Sequence, residues 1–403
     1  MIRVDKMIPG GQSLGTNEDG KKVFFWNALP GETVTKYYIT KNKSRYCEAV
    51  AEEYTDPSPH RVQPQDTCFL STSPWQIMTY QYELQLKSGL IVELFREHKI
   101  NIPTPAIITD GQDYHYRNKM EYALYWNNQS SQIELAFHER GSHRKIPIAG
   151  SSIERPEILQ YAKKIVSDLN NHHEEARKYQ SLLLRCNQLG KVSGGLYENN
   201  QPHPVFTPLS DSILGQTYNY SPNGFFQINL PVYEMALEEI KNHITTDEVL
   251  DLYAGVGTIG LSVARTHQLT LVECDKHAYS ELVKNCEYIN MGVQHEDEKS
   301  MHPLNHSIHP VLAKSEDVTN YIKYHQTVIL DPPRAGCDRR LVEKLLDIKP
   351  ATIIYLSCNP ATQARDLSLL LDKYSIDIVK AYNFFPRTPH IENLVILSRK
   401  ITQ

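Results

Sequence analysis

The first 55 residues show short runs in which apolar and polar positions alternate, the pattern of half-buried strands. Turn residues such as Pro30-Gly31 separate the runs, so the sequence predicts a small β-barrel. Basic side chains and tyrosines gather in this region without an acid among the basic residues: Lys36, Lys41, Lys43, Arg45, Tyr37, Tyr38 and Tyr46. The pattern is compatible with a solvated strand edge, or with a face that contacts phosphates and stacks on bases.

The pattern changes after this region. A polar, Pro-containing segment at 55–66 predicts a linker, and an apolar stripe from about Gln76 to His98 predicts an amphipathic helix. From about 101 to 206, strand-like pieces surround one helical stretch, PEILQYAKKIVSDLN, which is typical of an α+β domain. Two segments in it, YHYRNKM and RGSHRK, interleave aromatic and basic residues, a composition that favours an RNA-facing surface.

From about Asn242 the chain reads as strand, glycine-containing turn and helix, repeated. This is the pattern of an α/β fold with a doubly wound, Rossmann-like parallel sheet. The polar, histidine-rich segment 291–310 interrupts it. That segment lacks the spacing of a metal site, so we predict a surface loop and no metal there.

Composition narrows the class of protein. The chain has 403 residues, 40% of them hydrophobic and 22% charged, with a net charge of -5, which predicts two or three globular domains. Neither a secretory signal nor an apolar run long enough for a bilayer is evident, so no membrane association is expected. The seven cysteines form no CxxC pair and their number is odd, which indicates a reducing cytoplasm. Nothing in the sequence calls for an obligate protein partner.

The stretch EVLDLYAGVGTIGLSVA (248–264) predicts a buried strand, a turn at Gly255 and Gly257, and a helix. Such glycines let the backbone approach a ligand at the helix N-terminus. A second strand, LTLVECD, ends in Glu273, which is positioned to accept ribose hydroxyls. The third glycine of a dinucleotide fingerprint is missing, so S-adenosylmethionine is favoured over NAD.

The next predicted strand, TVILDPPRAG (327–336), ends in Asp331 at the edge of the sheet where ligands bind. We interpret it as the third strand of the sheet. In enzymes that methylate exocyclic amines an aromatic residue usually follows the DPP turn, whereas Arg334 follows it here. The turn therefore favours contact with a phosphate or carboxylate over nitrogen methylation.

A thiol and a carboxylate follow two further strands. Cys358 comes after IIYLS, and Glu392 precedes the last apolar strand. Methylation of carbon 5 of a pyrimidine needs a thiolate that adds to C6 and a base that removes the C5 proton. We predict these roles for Cys358 and Glu392. Positive charge from Arg334 or Arg387 would favour the thiolate, and the sequence leaves both open.

Five motifs occur in order: DLYAGVGT, LVECD, ILDPPRAG, YLSCNPAT and FFPRTPHIENLVIL. Together with SPNGFFQINLPVYEMAL they resemble the RNA uracil-5-methyltransferase family, most strongly over 206–403. The resemblance implies a class I fold that uses S-adenosylmethionine. It also implies Cys358 as nucleophile, Glu392 as proton acceptor, and cofactor contacts from Gln227, Tyr253, Glu273 and Asp331.

The resemblance also implies a domain order. Residues 1–56 are similar to an RNA-binding TRAM barrel, 57–205 to the family's central RNA-binding domain, and 206–403 to its catalytic domain. In the family the helix before the central domain packs on the catalytic domain. The run 76–98 would correspond to this helix. The implied partner is an rRNA or tRNA loop, and the barrel slightly favours 23S rRNA. Cys68 lacks the companion cysteines of a 4Fe–4S site, so we predict no cluster.

Two other functions remain open at this stage. An RNA cytosine-5 methyltransferase would carry a second cysteine in the DPP turn, and Cys337 lies just beyond it. A module that binds cofactor and RNA without catalysis is the other, although the presence of both Cys358 and Glu392 disfavours it.

Overall fold

The computed structural model describes residues 1–172, 177–199, 201–203, 206–290 and 307–401. The chain forms two compact units that alternate along the sequence. The first unit comprises Met1–Leu90, Gly111–Thr207 and Phe385–His390, and the second comprises Ile91–Asp110, Pro208–Phe384 and Ile391–Gln403. The division at 1–56, 57–205 and 206–403 stays a prediction.

The first unit begins with a closed five-stranded barrel, which confirms the expectation from the alternating pattern. The strands are β1 (Ile2–Met7), β2 (Ser13–Thr16), β3 (Lys22–Trp26), β4 (Thr33–Asn42) and β5 (Tyr46–Thr55), arranged β1-β2-β3-β5-β4. Every second side chain points inward, and Val4, Phe25, Val34 and Ala49 form part of the apolar core. The ring closes where β1 pairs with β4, through Thr33 and Val34 at the start of that strand.

The basic residues of β4 have acidic neighbours that the linear sequence did not reveal. Lys36 Nζ lies 3.3 Å from Glu52 and 3.7 Å from Glu53, and Lys41 Nζ lies 2.9 Å from Glu48. These acids come from β5, which pairs antiparallel with β4. Opposite charges across the pair offset each other, so this part of the barrel is less basic than its sequence indicated.

A six-stranded antiparallel sheet follows in the first unit, in the order β12-β11-β10-β7-β8-β9. Its strands are β7 (Lys119–Asn127), β8 (Gln132–His138), β9 (Lys145–Pro147), β10 (Ser181–Cys186), β11 (Val192–Glu198) and β12 (Gln201–His203). The helices of this part of the chain are α1 (Phe69–Thr72), α2 (Tyr80–Glu97) and α3 (Pro156–Asn170). Ile158 and Ala162 of α3 share an apolar core with Tyr122 and Leu184, as an α+β domain requires.

Helix α2 begins later than its apolar stripe indicated. Residues Pro74–Ile77 form a separate 3₁₀ turn, and Met78 is extended at φ -130 and ψ 159. An extended residue interrupts the helical hydrogen bonds, so the long helix starts at Tyr80. The boundary between the two units falls within this helix. Residues up to Leu90 belong to the first unit, and residues from Ile91 belong to the second.

The segment Phe385–His390 is an internal part of the first unit, although it comes late in the chain. Tyr116 Oη donates to the carbonyl of Pro386 at 2.9 Å, and Trp75 N donates to the carbonyl of Arg387 at 3.0 Å. Lys87 Nζ donates to the carbonyl of Phe385 at 3.1 Å. These bonds satisfy the backbone of a buried loop.

The second unit contains an eight-stranded sheet in the order β17-β16-β15-β18-β19-β21-β20-β6. Its strands are β6 (Ile107–Ile108), β15 (Glu248–Leu252), β16 (Gln268–Glu273), β17 (Ile308–Leu312), β18 (Thr327–Leu330), β19 (Thr352–Ser357), β20 (Tyr374–Tyr382) and β21 (Glu392–Arg399), while β13 (Leu209–Ile213) and β14 (Gln216–Tyr220) form a hairpin. Its helices are α4 (Leu230–Asn242), α5 (Thr258–Val263), α6 (Lys276–Asn290), α7 (Arg339–Ile348) and α8 (Pro360–Leu370). Strand β21 runs antiparallel to its neighbours. This is the predicted doubly wound α/β fold.

The count of strands before Asp331 was wrong. Strand β17 lies between β16 and β18 in the chain, so the strand before Asp331 is the fourth of this series. The sequence reading placed part of β17 in the loop 291–310. Pro310 and the preceding His309 hide the strand, and an edge strand tolerates proline. Residues 291–306, which include His295, His302 and His306, lie outside the described residues.

Candidate active site

The loop after β15 contains two glycines with different surroundings. Gly255 has φ +58, and a Cβ built on it meets no atom within 4 Å. Gly257 has φ +92, and its Cβ would lie 2.6 Å from Leu282 and 2.7 Å from Leu261. The two glycines predicted to contact the cofactor therefore differ. Gly255 leaves open space where a ligand could lie, whereas Gly257 permits close packing against Leu261 and Leu282.

Asp251 fixes the start of α5 against β15. It is fully buried, and its Oδ2 accepts a hydrogen bond from Gly260 N at 2.8 Å. A Cβ on Gly260 would lie 2.7 Å from the same oxygen, so only glycine allows this approach. Burial raises the pKa of Asp251 to about 8.

Glu273 ends β16 and supports the glycine loop. Its Oε2 accepts from Gly255 N at 2.8 Å, and its Oε1 accepts from Asp275 N at 2.6 Å. Each carboxylate oxygen has a further lone pair, so the group can still accept bonds from ligand hydroxyls. This is the geometry that a ribose diol requires.

Glu273 and Tyr253 line a cavity of about 1070 Å³ in the second unit. The Tyr253 hydroxyl accepts a bond from Asp338 N, and burial raises the pKa of Tyr253. Tyr253 has φ +66, a left-handed conformation that costs a non-glycine residue about 1–3 kcal/mol and occurs mainly at functional turns. The cavity exceeds the volume of a nucleoside-sized ligand, so Tyr253 and Glu273, which line it, suit S-adenosylmethionine, and Gly255 supports the site through its bond to Glu273.

Asp331 follows β18 at the same edge of the sheet. The residue is partly exposed, but burial of its carboxyl group raises its pKa to about 7. Burial, and then the charge of Asp331, raise the pKa of Tyr233, whose hydroxyl forms a 2.8 Å hydrogen bond with Thr258 Oγ1. Gln227 lies in the loop before α4, six residues ahead of Tyr233. The edge therefore gathers the loops after β15 and β18 and the start of α4.

Cys358 and Glu392 lie opposite each other where the β19–β21 ladder ends. The last pair of this antiparallel ladder is Ser357 with Asn393. One step further along both strands are Cys358 and Glu392. Cys358 is a bend residue just after β19, and the charge of Glu392 acts on its thiol, so the two side chains are neighbours at this end of the ladder. The thiol is partly exposed, and the carboxyl group is buried.

The charges around this pair interact strongly. Burial, followed by the charges of Glu392 and Asp331, raises the pKa of Cys358 to about 11, and Arg334 opposes the increase. Burial and Asp331 hold the pKa of Glu392 well above its usual range, again opposed by Arg334. Burial and neighbouring negative charge therefore disfavour ionisation of both groups, and a bound cation would favour it.

Arg334 is the arginine that acts on Cys358. The Arg334 carbonyl accepts from Asn359 Nδ2 at 2.9 Å and from Thr362 Oγ1 at 3.2 Å, which joins the two turns. The guanidinium of Arg387 belongs to the first unit, where it forms an ion pair with Asp113. The choice left open by the sequence thus falls on Arg334.

Comparison with known proteins bears on this arrangement. Residues 212–400 match the model of the tRNA (uracil-5-)-methyltransferase family. A protein named as an uncharacterized RNA methyltransferase from Prochlorococcus marinus is 29% identical over 436 residues, covering 92% of this chain and 99% of that protein. Another of that name from Lactobacillus johnsonii is 27% identical and covers 94% of each. Over residues 212–400 the chain is therefore similar to the tRNA (uracil-5-)-methyltransferase family.

These matches confirm the S-adenosylmethionine-dependent RNA methyltransferase that the motifs predicted. In structure, the chain is similar to the Pyrococcus abyssi tRNA (uracil-54, C5)-methyltransferase, crystallised with S-adenosyl-L-homocysteine. The TM-score is 0.75 at 22% identity, over 98% of this chain and 99% of that one. This match confirms the fold: a class I methyltransferase domain with an N-terminal barrel.

Cys337 is the thiol that the cytosine-5 alternative would use, and its contacts differ from those of Cys358 and Glu392. It is buried, and its backbone N donates to Asp366 Oδ2 at 2.9 Å. Burial and the charge of Asp366 raise the pKa of Cys337 to about 12. Tyr355 Oη also donates to Asp366 Oδ2, at 2.8 Å. Cys337 therefore belongs to a structural network that holds the turn after Asp331.

The sequence reading missed two residues that line the cofactor cavity, Ser315 and Glu316. They follow β17, whose pairing with β16 brings them beside Glu273. A short apolar run followed by an acid, VLAKSED, was the available signal. It was overlooked because the preceding histidine-rich segment was interpreted as extending into this strand.

Metal binding and membrane insertion were also considered for this methyltransferase. Across the described ranges, no group of three or more His, Cys, Asp or Glu residues could hold a metal ion. The absence of an iron–sulfur cluster stays a prediction. Cys68 is buried, and its thiol lies 3.7 Å from the carbonyl of Gly150. Each helix in the described part of the chain is too short or too polar to cross a bilayer.

Proposed function

We propose that this chain methylates C5 of a uridine in RNA through a transient bond between Cys358 Sγ and C6 of the uracil ring. The observation that carries the proposal is the opposition of Cys358 and Glu392 at the end of the β19–β21 ladder. The edge that holds Gly255 and Glu273 lies in the same sheet. A nucleophile and a base on one face beside a cofactor cavity are what this reaction needs.

In the proposed reaction, the Cys358 thiolate bonds to C6, and the C5–C6 π electrons move toward O4. Bound S-adenosylmethionine would supply the electrophilic methyl group for C5, and its sulfur would keep the C–S bonding pair. The Glu392 carboxylate then removes the C5 proton. The C5–H electrons re-form the C5–C6 double bond, and Cys358 leaves as a thiolate. The base must be turned out of its stack to reach the thiol.

We assign cofactor contacts to Gln227, Tyr253, Gly255, Glu273 and Asp331, and a supporting role through packing to Gly257. Because the carboxyl groups at the edge carry raised pKa values, a cationic cofactor would be favoured there by the charge it neutralises. The same positive charge would lower the pKa of Cys358. Binding of S-adenosylmethionine would therefore activate both the nucleophile and the base.

For the RNA target, the barrel led us to favour 23S rRNA slightly, and that preference is part of this proposal. The family description and the Pyrococcus abyssi neighbour name tRNA instead, which makes tRNA the second candidate. Recognition of an unstacked loop suits either RNA. We place the enzyme in a reducing cytoplasm because all seven cysteines are free thiols.

The decisive experiment uses RNA that contains 5-fluorouridine. Fluorine at C5 cannot leave as a proton, so the reaction stops at a covalent methylated adduct on Cys358. We expect adduct formation with wild-type protein on either the tRNA or the 23S rRNA transcript, and none with Cys358→Ala. Transfer to cytidine RNA alone would favour the cytosine-5 alternative. Cofactor binding without any adduct would favour the inactive module.

A further inference from the structure

A fully buried glutamine connects the helix after Cys358 to the strand that begins at Glu392. Gln363 of α8 donates from Nε2 to the carbonyl of Tyr355 at 2.8 Å and to the carbonyl of Asn393 at 3.1 Å. Its Oε1 accepts from Asn393 Nδ2 at 2.7 Å. One side chain therefore bonds to β19 and β21 while belonging to α8.

An apolar side chain of similar length would fill this space without needing any partner. A buried amide is destabilising unless its donors and acceptor are bonded, and Gln363 satisfies both donors and its acceptor. Hydrogen bonds are directional, whereas apolar contacts are not. The hydrogen bonds of Gln363 to Tyr355 and Asn393 therefore constrain the relative position of β19 and β21 more tightly than packing alone would.

This constraint acts where the ladder between these two strands ends. The β19–β21 ladder ends at the pair of Ser357 and Asn393, just before Cys358 and Glu392, while Glu392 still pairs with Tyr382 of β20. Bonds from Asn359 and Thr362 to the Arg334 carbonyl also hold the Cys358 turn. Loss of Gln363 removes one bond to β19 and both bonds to Asn393 beside Glu392, so it would loosen the start of β21 more than the nucleophile.

We propose that Gln363 is a positioning residue that aligns Glu392 with the proton on C5 of the methylated adduct. The inference rests on the proposed function. In this step the proton moves from C5 to a Glu392 carboxylate oxygen, the C–H electrons re-form the C5–C6 double bond, and the C6–Sγ bond breaks. Formation of that bond depends on Cys358 and its own turn, so Gln363 affects elimination selectively.

The test compares Gln363→Met with Gln326→Met in single-turnover reactions on RNA with ordinary uridine. Gln326 is a matched control, because it is also buried but precedes β18. It therefore lies at the end of the parallel strands opposite to Asp331 and Cys358. Intact-mass measurement follows the formation and decay of the methylated adduct. For Gln363→Met we expect near-normal adduct formation and about tenfold to hundredfold slower decay. Gln326→Met should behave as wild type.

A double variant separates positioning from general loosening. If Gln363 acts through Glu392, adding Gln363→Met to Glu392→Gln should slow decay no further than Glu392→Gln alone. Equal slowing of formation and decay in Gln363→Met, or an additive effect in the double variant, would overturn the inference. If Gln363→Met fails to fold, Asn393→Ala removes the 2.7 Å bond from the other side and carries the test, with the same two outcomes.

The proposed function and this inference fail in different ways. If Glu392→Gln accumulates methylated adduct and Gln363→Met does not, only the positioning role is lost. If Glu392→Gln accumulates no adduct while wild-type protein methylates RNA, the assignment of the base itself is wrong.

Discussion

The two glycines of the loop after β15 allow one substitution to be compared at neighbouring positions. Both have positive φ, so alanine at either site should cost about 1–2 kcal/mol of unfolding free energy through backbone strain alone. At Gly257 the new Cβ would also lie 2.6 Å from Leu282 and 2.7 Å from Leu261, both fully buried. Overpacking of this kind adds about 1–3 kcal/mol.

We therefore expect Gly257→Ala to lose about 2–5 kcal/mol of stability, the sum of strain and overpacking. Gly255→Ala should lose only the backbone part, because its Cβ enters open space. That space is the proposed cofactor site. The affinity of the Gly255→Ala protein for S-adenosylhomocysteine should therefore fall at least about tenfold, equivalent to about 1.4 kcal/mol.

Denaturant titration measures the stability of each variant, and calorimetry measures its affinity for S-adenosylhomocysteine. Gly215→Ala is the matched control: Gly215 also has positive φ and open surroundings, but it lies in the β13–β14 hairpin. It should lose stability as Gly255→Ala does and keep normal affinity. A folded Gly255→Ala protein with wild-type affinity would refute the placement of the cofactor beside this loop.

Four further predictions concern the cysteines and the charged residues around them. Glu392→Gln should form the methylated adduct on ordinary RNA and release it at least about a hundredfold more slowly, because general-base catalysis typically contributes 10²–10⁴-fold; rapid turnover in quenched-flow assays would contradict this. Arg334→Met removes a charge that lowers the pKa of Cys358, so the pH profile of adduct formation should move to higher pH, whereas Arg96→Met, an exposed control outside the cavity lining, should leave it unchanged. Because the thiolate is the nucleophile, wild-type adduct formation should rise from pH 7 toward pH 9. Cys337→Ser should form the 5-fluorouridine adduct normally, and loss of the adduct with cofactor binding retained would reopen the cytosine-5 alternative.

The α/β fold was predictable because its central strands are continuous apolar runs that end at turn residues. The runs before Gly255, Asp331 and Cys358 are buried on both faces, and such strands need no partner information to be recognised. Strand β17 was not predictable in the same way, because an edge strand tolerates the Pro310 that it contains.

The residue types of the site were also readable, but their relations were not. The opposition of Cys358 and Glu392 depends on the antiparallel direction of β21, which local sequence does not encode. The partners of Lys36 and Lys41 likewise come from a neighbouring strand. Gln363 carried no signal, because a single glutamine in a helical pattern is typical of a solvent-facing position.

The late segment Phe385–His390 has a consequence for synthesis on the ribosome. A unit that otherwise ends at Thr207 cannot complete its interior until residues close to the end of the chain have been translated. Chains generally fold from the N-terminal end as they emerge, so the nascent chain must wait with Trp75, Lys87 and Tyr116 lacking those partners. A protein shortened before residue 385 would remain at that incomplete stage permanently.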